Sequence, residues 1–238
     1  MKRENVMRTG TEIAQRFFAS NGDTYDRIAN LSTLGFDIVW KKKILKKIPH
    51  GSRYIIDQAC GTGILTLKIA QRFPHSRIVG VDLHEEYLTI ARKKAQDLRL
   101  TNVEFIAGRA EDVVLDGGAD CITSSYLAKY ADLDLWIANA REMLHEGGVL
   151  VIHELTYPTR PAFIGLWNLQ FKFLQTYGAW QYPEWGVAFH ELPSLLKETR
   201  WIEQLKKTLE KNCFSMIKSD SLAFEASAIV TAVKTGVI

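Results

Sequence analysis

Cysteine is scarce in this chain, with three among 238 residues, at positions 60, 121 and 213. No two of them form a C-x-x-C pair, so the spacing excludes a zinc ribbon and a redox dithiol. We therefore predict no metal site. An odd number of widely spaced cysteines also favours a reducing, cytoplasmic setting.

Long apolar runs and a strong excess of one charge are missing too. No apolar stretch approaches the ~20 residues that cross a bilayer, and the basic amino terminus lacks the apolar core of a signal peptide. A formal net charge of +3 gives no electrostatic argument for a nucleic-acid partner. We expect a soluble protein, at most peripheral to a membrane, that acts on a small molecule; the sequence leaves a homodimer open.

Alternation of strand-like and helix-like runs dominates residues 51–154. The strand-like runs are YIID, RIVGVD, VEFIAG, DCITSS and VLVIHE. Strands that alternate with helices predict an α/β domain with a mainly parallel sheet and helices on both faces. Two further runs, CFSMIKS and ASAIVTAVK, predict an antiparallel pair at the sheet edge, which brings the sheet to seven strands.

Two helical segments flank this alternation. Residues 1–50 are predicted to form a helical arm over the site, and residues 51–238 the main domain. Inside the domain, the segment at about 156–198 is rich in aromatics and places Phe163, Trp167, Phe171 and Leu174 on one helical face. This face suits a core helix or a lid that lines an apolar acceptor pocket, and we favour the lid.

The arm ends in the lysine-rich stretch WKKKILKKIPH. Its isoleucines and leucine, set against five lysines at 41–43, 46 and 47, predict an amphipathic basic helix. Such a face is usually solvated, but it also suits the surface of an anionic membrane.

A glycine-rich turn, DQACGTG, stands where the first predicted strand gives way to a helix. Gly61 and Gly63 allow backbone conformations that other residues avoid and let a ligand approach the main chain, and Thr62 is suited to cap the helix. Asp82 ends the second strand, where an acid commonly binds the hydroxyls of a ribose. Because Thr66 breaks the pattern G-x-G-x-x-G, a nicotinamide dinucleotide is the weaker alternative to an adenosyl-methionine ligand.

With these residues the sequence resembles the class I S-adenosylmethionine-dependent methyltransferases, and most closely their ubiquinone and menaquinone biosynthesis C-methyltransferase branch. The more specific part of the match lies in the arm, in YDRIANLSTLGFDIVW, and continues through GVDLHEEYLTIARKK and LHEGGVLVIHELTYP. The resemblance implies a Rossmann-like methyltransferase fold, S-adenosylmethionine as cofactor and an aromatic or quinone-like methyl acceptor. In the arm, the matching residues are Tyr25, Asp26, Asn30, Ser32, Gly35 and Trp40.

The resemblance also assigns cofactor contacts. Asp57, Ala59, Gly61, Thr62 and Gly63 would surround the methionine and ribose portions, with Tyr25 packed above. Asp82 would bind the ribose hydroxyls, Leu83 one adenine face, Ala110 and Glu111 the adenine edge, and Ser124 and Ser125 would face the sulfur.

The chain departs from the family pattern at three places. Arg109 stands where the family has an acid, so the adenine contact falls to Glu111 or Asp112. Lys129 replaces an arginine after the fourth strand, and EASAIVTAVK lacks a Gly and a His that recur in the family.

Methylation of a ring carbon needs a base, which O- and N-methylation need less. The candidates for a base or an orienting group are His153, His190, Tyr126, Tyr130 and Tyr25, although a lone histidine is more often structural. Lys129 is suited to bind a substrate oxygen as a point charge. Two other functions remain open at this point: a nicotinamide-dependent oxidoreductase, and a cofactor-binding regulator without catalysis.

Overall fold

A seven-stranded sheet organises residues 10–236, the part of the chain that this computed structural model describes. Residues 1–9 of the predicted arm and 237–238 of the predicted main domain lie outside the described residues. The strand order is β3-β2-β1-β4-β5-β7-β6, and all neighbours pair in parallel except at β7, which is antiparallel to β5 and to β6. The strands are β1 (Tyr54–Gln58), β2 (Arg77–Asp82), β3 (Val103–Ala107), β4 (Ala119–Ser125), β5 (Leu144–Leu155), β6 (Phe214–Leu222) and β7 (Ser227–Lys234).

Ten α-helices accompany the sheet in the described residues. They are α1 (Gly10–Phe18), α2 (Gly22–Ser32), α3 (Phe36–Lys47), α4 (Ile64–Arg72), α5 (Glu85–Asp97), α6 (Leu133–Met143), α7 (Pro161–Phe173), α8 (Ala179–Gln181), α9 (Gly186–Glu198) and α10 (Trp201–Lys211). A π-helical turn, Leu174–Gly178, continues α7, and no helix here meets the length and hydropathy needed to span a membrane.

Two apolar clusters cover the two faces of the sheet, as the continuous apolar strands predicted. One cluster centres on Trp136 and Ile137 of α6, and the other on Ile44 of α3 and Ile69 of α4; these four side chains are fully buried. The predicted α/β architecture, with a mainly parallel seven-stranded sheet and helices on both faces, is therefore confirmed.

The sheet reverses its winding between β1 and β4. From β1 the chain moves outward to β2 and β3, and then returns to place β4 on the other side of β1. At such a switch point the loops after neighbouring strands diverge and leave a crevice at the carboxyl edge. The glycine turn after β1 and the loop after β4 border this crevice.

Helix α3 turns a different face inward from the one its lysines suggested. Asp37, Trp40, Lys41 and Ile44 are buried, at the spacing of one helical face, whereas Ile38 is exposed. The predicted solvated basic face is therefore wrong for Lys41. Helix α3 packs against α4 and β5, and this contact selects the buried face.

The aromatic segment packs on the arm through the face that the spacing predicted. Trp167, Phe171 and Leu174 are buried, and Phe163 is half-buried. Trp167, Phe171 and Leu174 join a third apolar cluster with Phe17 of the arm, apart from the two clusters that cover the sheet. Residues 156–198 and the arm therefore form one apolar layer above the carboxyl edge of the sheet.

A buried carboxylate joins the elements around the crevice. Asp57, at 1% exposure, accepts a hydrogen bond of 2.6 Å from the Thr66 hydroxyl of α4 and one of 2.7 Å from the Thr123 hydroxyl of β4. Burial, opposed by these two hydrogen bonds, raises the pKa of Asp57 to about 6. The folded chain therefore holds this proton more tightly than the unfolded chain does.

This pKa predicts a pH-dependent effect of replacing Asp57 by Asn. As the pH rises through the interval from about 4 to 6, the charged Asp57 progressively lowers the free energy of unfolding of the wild type, and the amide does not. The difference in unfolding free energy, variant minus wild type, should rise by about 2 kcal/mol between pH ~4.5 and ~7.5. Urea unfolding at several pH values measures it, with exposed Asp112→Asn as the control; a flat difference for Asp57→Asn would contradict the prediction.

Candidate active site

A cleft of about 700 Å³ opens at the carboxyl edge of the sheet beneath the arm. It brings together predicted residues from the arm, the glycine turn, and the ends of β2, β3 and β4. Ten of the predicted site residues line it: Tyr25, Ala59, Gly61, Asp82, Leu83, Ala110, Glu111, Ser125, Tyr126 and Tyr130.

A narrower cavity of about 300 Å³ adjoins the cleft. The two share Tyr25, Ala59, Ser125 and Tyr126 as lining residues, so the narrower cavity lies directly beside the cleft, and we call it the narrow end of the cleft. The narrow end is also lined by Lys41, Asp57, Cys60, Ile64 and Leu65.

The glycine turn is shaped by left-handed backbone at three residues. Ala59, Gly61 and Gly63 have φ values of 56°, 55° and 81°. This conformation aims the Gly61 amide at Asp82, whose Oδ2 accepts its hydrogen bond at 2.8 Å. Alanine adopts such a φ at a cost of about 1 kcal/mol, and non-glycine residues in this state concentrate at ligand sites.

Asp82 is held rigidly at the edge of the cleft. Its Oδ1 accepts a hydrogen bond of 2.9 Å from the His84 amide, while Oδ2 accepts that of Gly61. Each carboxylate oxygen keeps a further lone pair, because a carboxylate offers about four acceptor sites. The fixed carboxylate is therefore suited to accept hydrogen bonds from a diol.

The other wall of the cleft carries polar atoms that lack partners in the described structure. The buried Nε2 of His84 and Nε of Arg109 have no hydrogen-bond partner, and both residues line the cleft. Glu111, in contrast, has partners within the protein. Its Oε1 accepts a hydrogen bond of 3.2 Å from the Asp132 amide and lies 3.5 Å from Nη2 of Arg109. Buried donors and acceptors without partners fit a polar heterocyclic ligand such as a nucleoside.

Three residues assigned to the cofactor lie behind the lining. Gly63, not Thr62, caps α4, and the Thr62 hydroxyl donates to Oδ1 of Asp26 in the arm, so the predicted helix cap at Thr62 is wrong. Gly63 and Ser124 are buried and do not line the described cavities; the Ser124 hydroxyl has no partner.

A buried polar chain runs inward from Ser125. Its hydroxyl accepts a hydrogen bond of 2.6 Å from Nζ of Lys41 and lies 2.8 Å from Nδ1 of His153, whose Nε2 lies 2.6 Å from the Ser227 hydroxyl. Lysine only donates, so the Ser125 hydroxyl is the acceptor in its contact with Lys41. Burial and the nearby Lys41 and Lys129 hold the pKa of His153 well below its usual range, so His153 is neutral. It lines none of the described cavities and contacts the cleft residue Ser125.

Tyr126 follows β4 in a left-handed conformation, with φ of 69°. Its hydroxyl donates a hydrogen bond of 2.6 Å to Oδ1 of Asp37, and burial raises its pKa well above 10, so it remains protonated. Tyr126 therefore orients Asp37 and lines the cleft with its ring.

A second cavity, of about 620 Å³, lies between the arm and α7–α9. Phe18, Tyr25, Tyr126 and Tyr130 line both this cavity and the cleft. The rest of its lining is mostly apolar: Phe17, Ile28, Ala29, Ser32, Thr33, Lys129, Leu155, Phe171, Leu174, Trp185, Ala188, Phe189 and Leu192.

A buried ion pair borders this second cavity. Nζ of Lys129 lies 2.7 Å from Oε1 of Glu154, with the two side chains 2% and 0% exposed. Burial lowers the pKa of Lys129, although Glu154 opposes the shift. Oε2 of Glu154 is buried without a partner.

The predicted candidate His190 lies on the exposed side of α9, with Nδ1 near the Gly186 carbonyl, and lines none of the described cavities.

Sequence reasoning missed three polar residues of this site. Lys41 and Asp37 lie 3.3 Å apart in α3, and Glu154 pairs with Lys129. The spacing of Asp37, Trp40 and Ile44 along one helical face was the available signal for Lys41, but the run of lysines obscured it.

Comparison with known proteins identifies the family. The model of the ubiE/COQ5 methyltransferase family matches residues 6–234. The ubiquinone/menaquinone biosynthesis C-methyltransferase UbiE of Citrifermentans bemidjiense is 32% identical over 165 residues, covering 67% of this chain and 70% of that protein. The demethylmenaquinone methyltransferase of Chlorobaculum tepidum is 28% identical over 228 residues, covering 92% and 91%.

Solved structures share the fold at low identity. Magnesium protoporphyrin IX methyltransferase from Synechocystis, with bound S-adenosylhomocysteine, has a TM-score of 0.65 at 18% identity, covering 95% of this chain and 100% of that one. A methyltransferase structure from Methanococcus maripaludis, described as putative and S-adenosylmethionine-dependent, has a TM-score of 0.66 at 17% identity, covering 91% and 93%.

The family match decides between the functions that the sequence left open. It supports a methyltransferase over a nicotinamide-dependent oxidoreductase or a regulator without catalysis. The cleft, with a fixed acid at its edge and unpartnered buried polar atoms in its wall, fits the nucleoside of the predicted cofactor. The chain belongs to the ubiE/COQ5 methyltransferase family and is an S-adenosylmethionine-dependent methyltransferase.

Proposed function

We propose that this protein methylates a ring carbon of a quinol, in the manner that the names of its demethylmenaquinone methyltransferase relatives describe for those proteins. The observation that carries the proposal is that a largely apolar cavity, rich in aromatic rings, adjoins the donor cleft at Tyr25, Tyr126 and Tyr130, which line both spaces. A flat, apolar acceptor with a few oxygens fits such a cavity.

The cofactor is held by residues that line the cleft. Asp82 binds the ribose hydroxyls, Leu83 packs on the adenine, Ala110 and Glu111 border its edge, and the turn at Gly61 approaches the ligand through its main chain. When bound, S-adenosylmethionine supplies an electrophilic methyl group. Tyr126 lies where the cleft meets the acceptor cavity, and Ser125 lies where the cleft meets the narrow cavity. The methyl group is transferred beside these two neighbouring residues.

Carbon methylation places two demands on the protein. The quinol must lose a hydroxyl proton so that its ring carbon becomes nucleophilic, and after the new C–C bond forms the same carbon must lose its hydrogen as a proton. Lys129 stabilises the phenolate as a point charge. Oε2 of Glu154, which is buried without a partner beside Lys129, accepts the hydroxyl proton. Loss of the ring proton after methylation regenerates the phenolate, which takes a proton back, so the reaction releases one proton in total.

Exclusion of water is the remaining task, because the reaction is an in-line displacement that depends on the orientation of its two reactants. The arm and residues 156–198 act as the lid. Tyr25 and Phe18 of the arm and Trp185 of residues 156–198 form edge-to-face or tilted contacts, with ring centroids 6.0–6.2 Å apart. These contacts join the two parts of the lid.

We propose the cytoplasm as the compartment, because Cys60 and Cys121 are buried free thiols and Cys213 is an exposed free thiol.

We also propose contact with an anionic membrane through the start of α3. There the exposed apolar residues Ile38 and Val39 precede the exposed lysines Lys42 and Lys43 by one turn each. Apolar insertion next to cationic side chains is the pattern of an interfacial helix.

Replacing Asp82 by Ala should weaken the binding of S-adenosylhomocysteine by about 10-fold or more, because a buried hydrogen-bonding partner contributes ~1 to 3 kcal/mol. Isothermal titration calorimetry measures this change. Asp97→Ala, at an exposed side chain of α5 outside the cleft, is the matched control. An affinity of Asp82→Ala within about twofold of the wild type would overturn the placement of the ribose.

A larger side chain in the second cavity should prevent the acceptor from binding and leave cofactor binding unchanged. Ala188 is buried in its wall, so Ala188→Phe should lower methyl transfer to a reduced naphthoquinone by about 10-fold or more, while the affinity for S-adenosylhomocysteine changes by less than about twofold. Labelled methyl transfer followed by mass spectrometry measures the product, and Ala188→Val is the smaller control. Wild-type product with its methyl on oxygen, or full activity in Ala188→Phe, would contradict the proposal.

Vesicle co-sedimentation tests the membrane contact. The protein should sediment with phosphatidylglycerol vesicles at low salt and much less with phosphatidylcholine vesicles. The double variant Ile38→Ser/Val39→Ser should lose most of this binding, while Leu98→Ser, at the exposed leucine that follows α5, should keep it. Equal binding of the wild type to both vesicles, or none, would refute the contact.

A further inference from the structure

Lys41 is a buried lysine that the roles assigned so far do not use. Its side chain is 4% exposed; Nζ donates to the Ser125 hydroxyl at 2.6 Å, lies 3.3 Å from Oδ1 of Asp37 and stands 4.4 Å from the centroid of the Tyr126 ring. An ammonium has three donors. Ser125 and Asp37 take two of them among the described residues, so one donor is left for a ligand.

Lys41 and one carboxylate are the charged residues of the space that they line. In the narrow end of the cleft, the charged lining residues among those described are Lys41 and Asp57 alone. Asp37 lies beside Lys41 but does not line this space, and its Oδ1 also accepts the Tyr126 hydroxyl. The narrow end therefore presents one cation and one anion, each backed by buried hydrogen bonds.

The direction of the cofactor follows from the proposed function, on which this inference rests. With the nucleoside at Asp82 in the wide half, the amino-acid portion extends past Ala59 and Ser125 into the narrow half. That portion is a zwitterion, with one carboxylate and one ammonium. A cation and an anion on the wall match it in charge, and burial strengthens both attractions because little water screens them.

We propose that Lys41 binds the α-carboxylate of the amino-acid portion of S-adenosylmethionine, with Asp57 facing its ammonium. In addition to covering the donor site, the arm thereby contributes the ammonium group of Lys41 to it. The contact of Lys41 with Ser125 also links this carboxylate site to the point of methyl transfer.

Three ligands separate this role from a general weakening of the site. S-adenosylhomocysteine carries the carboxylate and the ammonium, decarboxylated S-adenosylhomocysteine keeps only the ammonium, and methylthioadenosine lacks both. Titration calorimetry should show that Lys41→Met weakens S-adenosylhomocysteine by about 10- to 100-fold, as expected for a buried charge-assisted hydrogen bond. The same variant should change the affinity of the other two ligands by less than about twofold.

Two further variants complete the design. Lys46→Met, at an exposed lysine of the same helix, should leave all three affinities unchanged, and Lys41→Arg should restore part of the binding of S-adenosylhomocysteine. Thermal unfolding checks that each variant is folded.

The outcomes distinguish this inference from the proposed function. Unchanged affinity of Lys41→Met for S-adenosylhomocysteine would overturn the inference, as would an equal loss for all three ligands, which would mark Lys41 as structural. A wild type that binds neither S-adenosylhomocysteine nor methylthioadenosine would overturn the proposed function itself.

Discussion

The buried carboxylate of Asp57 is the interaction on which the geometry of the site depends. It accepts hydrogen bonds from Thr123 on β4 and Thr66 on α4, so one side chain joins two strands and a helix at the switch point of the sheet. The turn that follows is thereby fixed at both ends, and it aims the Gly61 amide at Asp82. Charging a carboxylate in this environment costs stability, and a cationic ligand group nearby would offset that cost.

The arm covers the carboxyl edge of the sheet and adds side chains to the site. An open α/β sheet leaves its carboxyl edge exposed, and α2 and α3 cover it with Tyr25 and Lys41. The buried pair of Lys41 with Asp37 is weak evidence for stability, because removing two charges from water costs about as much as their attraction returns. A role in ligand binding explains such a pair better than a contribution to folding does.

The two halves of the site have opposite chemistry and meet at the end of β4. On the donor side, Asp82 and Asp57 belong to a polar, hydrogen-bonded wall. On the acceptor side, aromatic rings surround the Lys129–Glu154 pair. Tyr126 borders both sides, and its left-handed backbone turns the chain away from the strand at this junction. The strain sits at the junction of the proposed donor and acceptor sides, and strained residues concentrate at active sites and ligand sites.

Local sequence determined the order of strands and helices, the glycine turn before α4, and the buried face of α7, because period and turn chemistry are properties of neighbouring residues. It could not separate Lys41 from Lys42, or His153 from His190, since each pair looks alike along the chain. Only tertiary structure decided these. The packing of α3 against α4 and β5 buries one lysine and exposes the next, because burial depends on contacts between residues far apart in sequence.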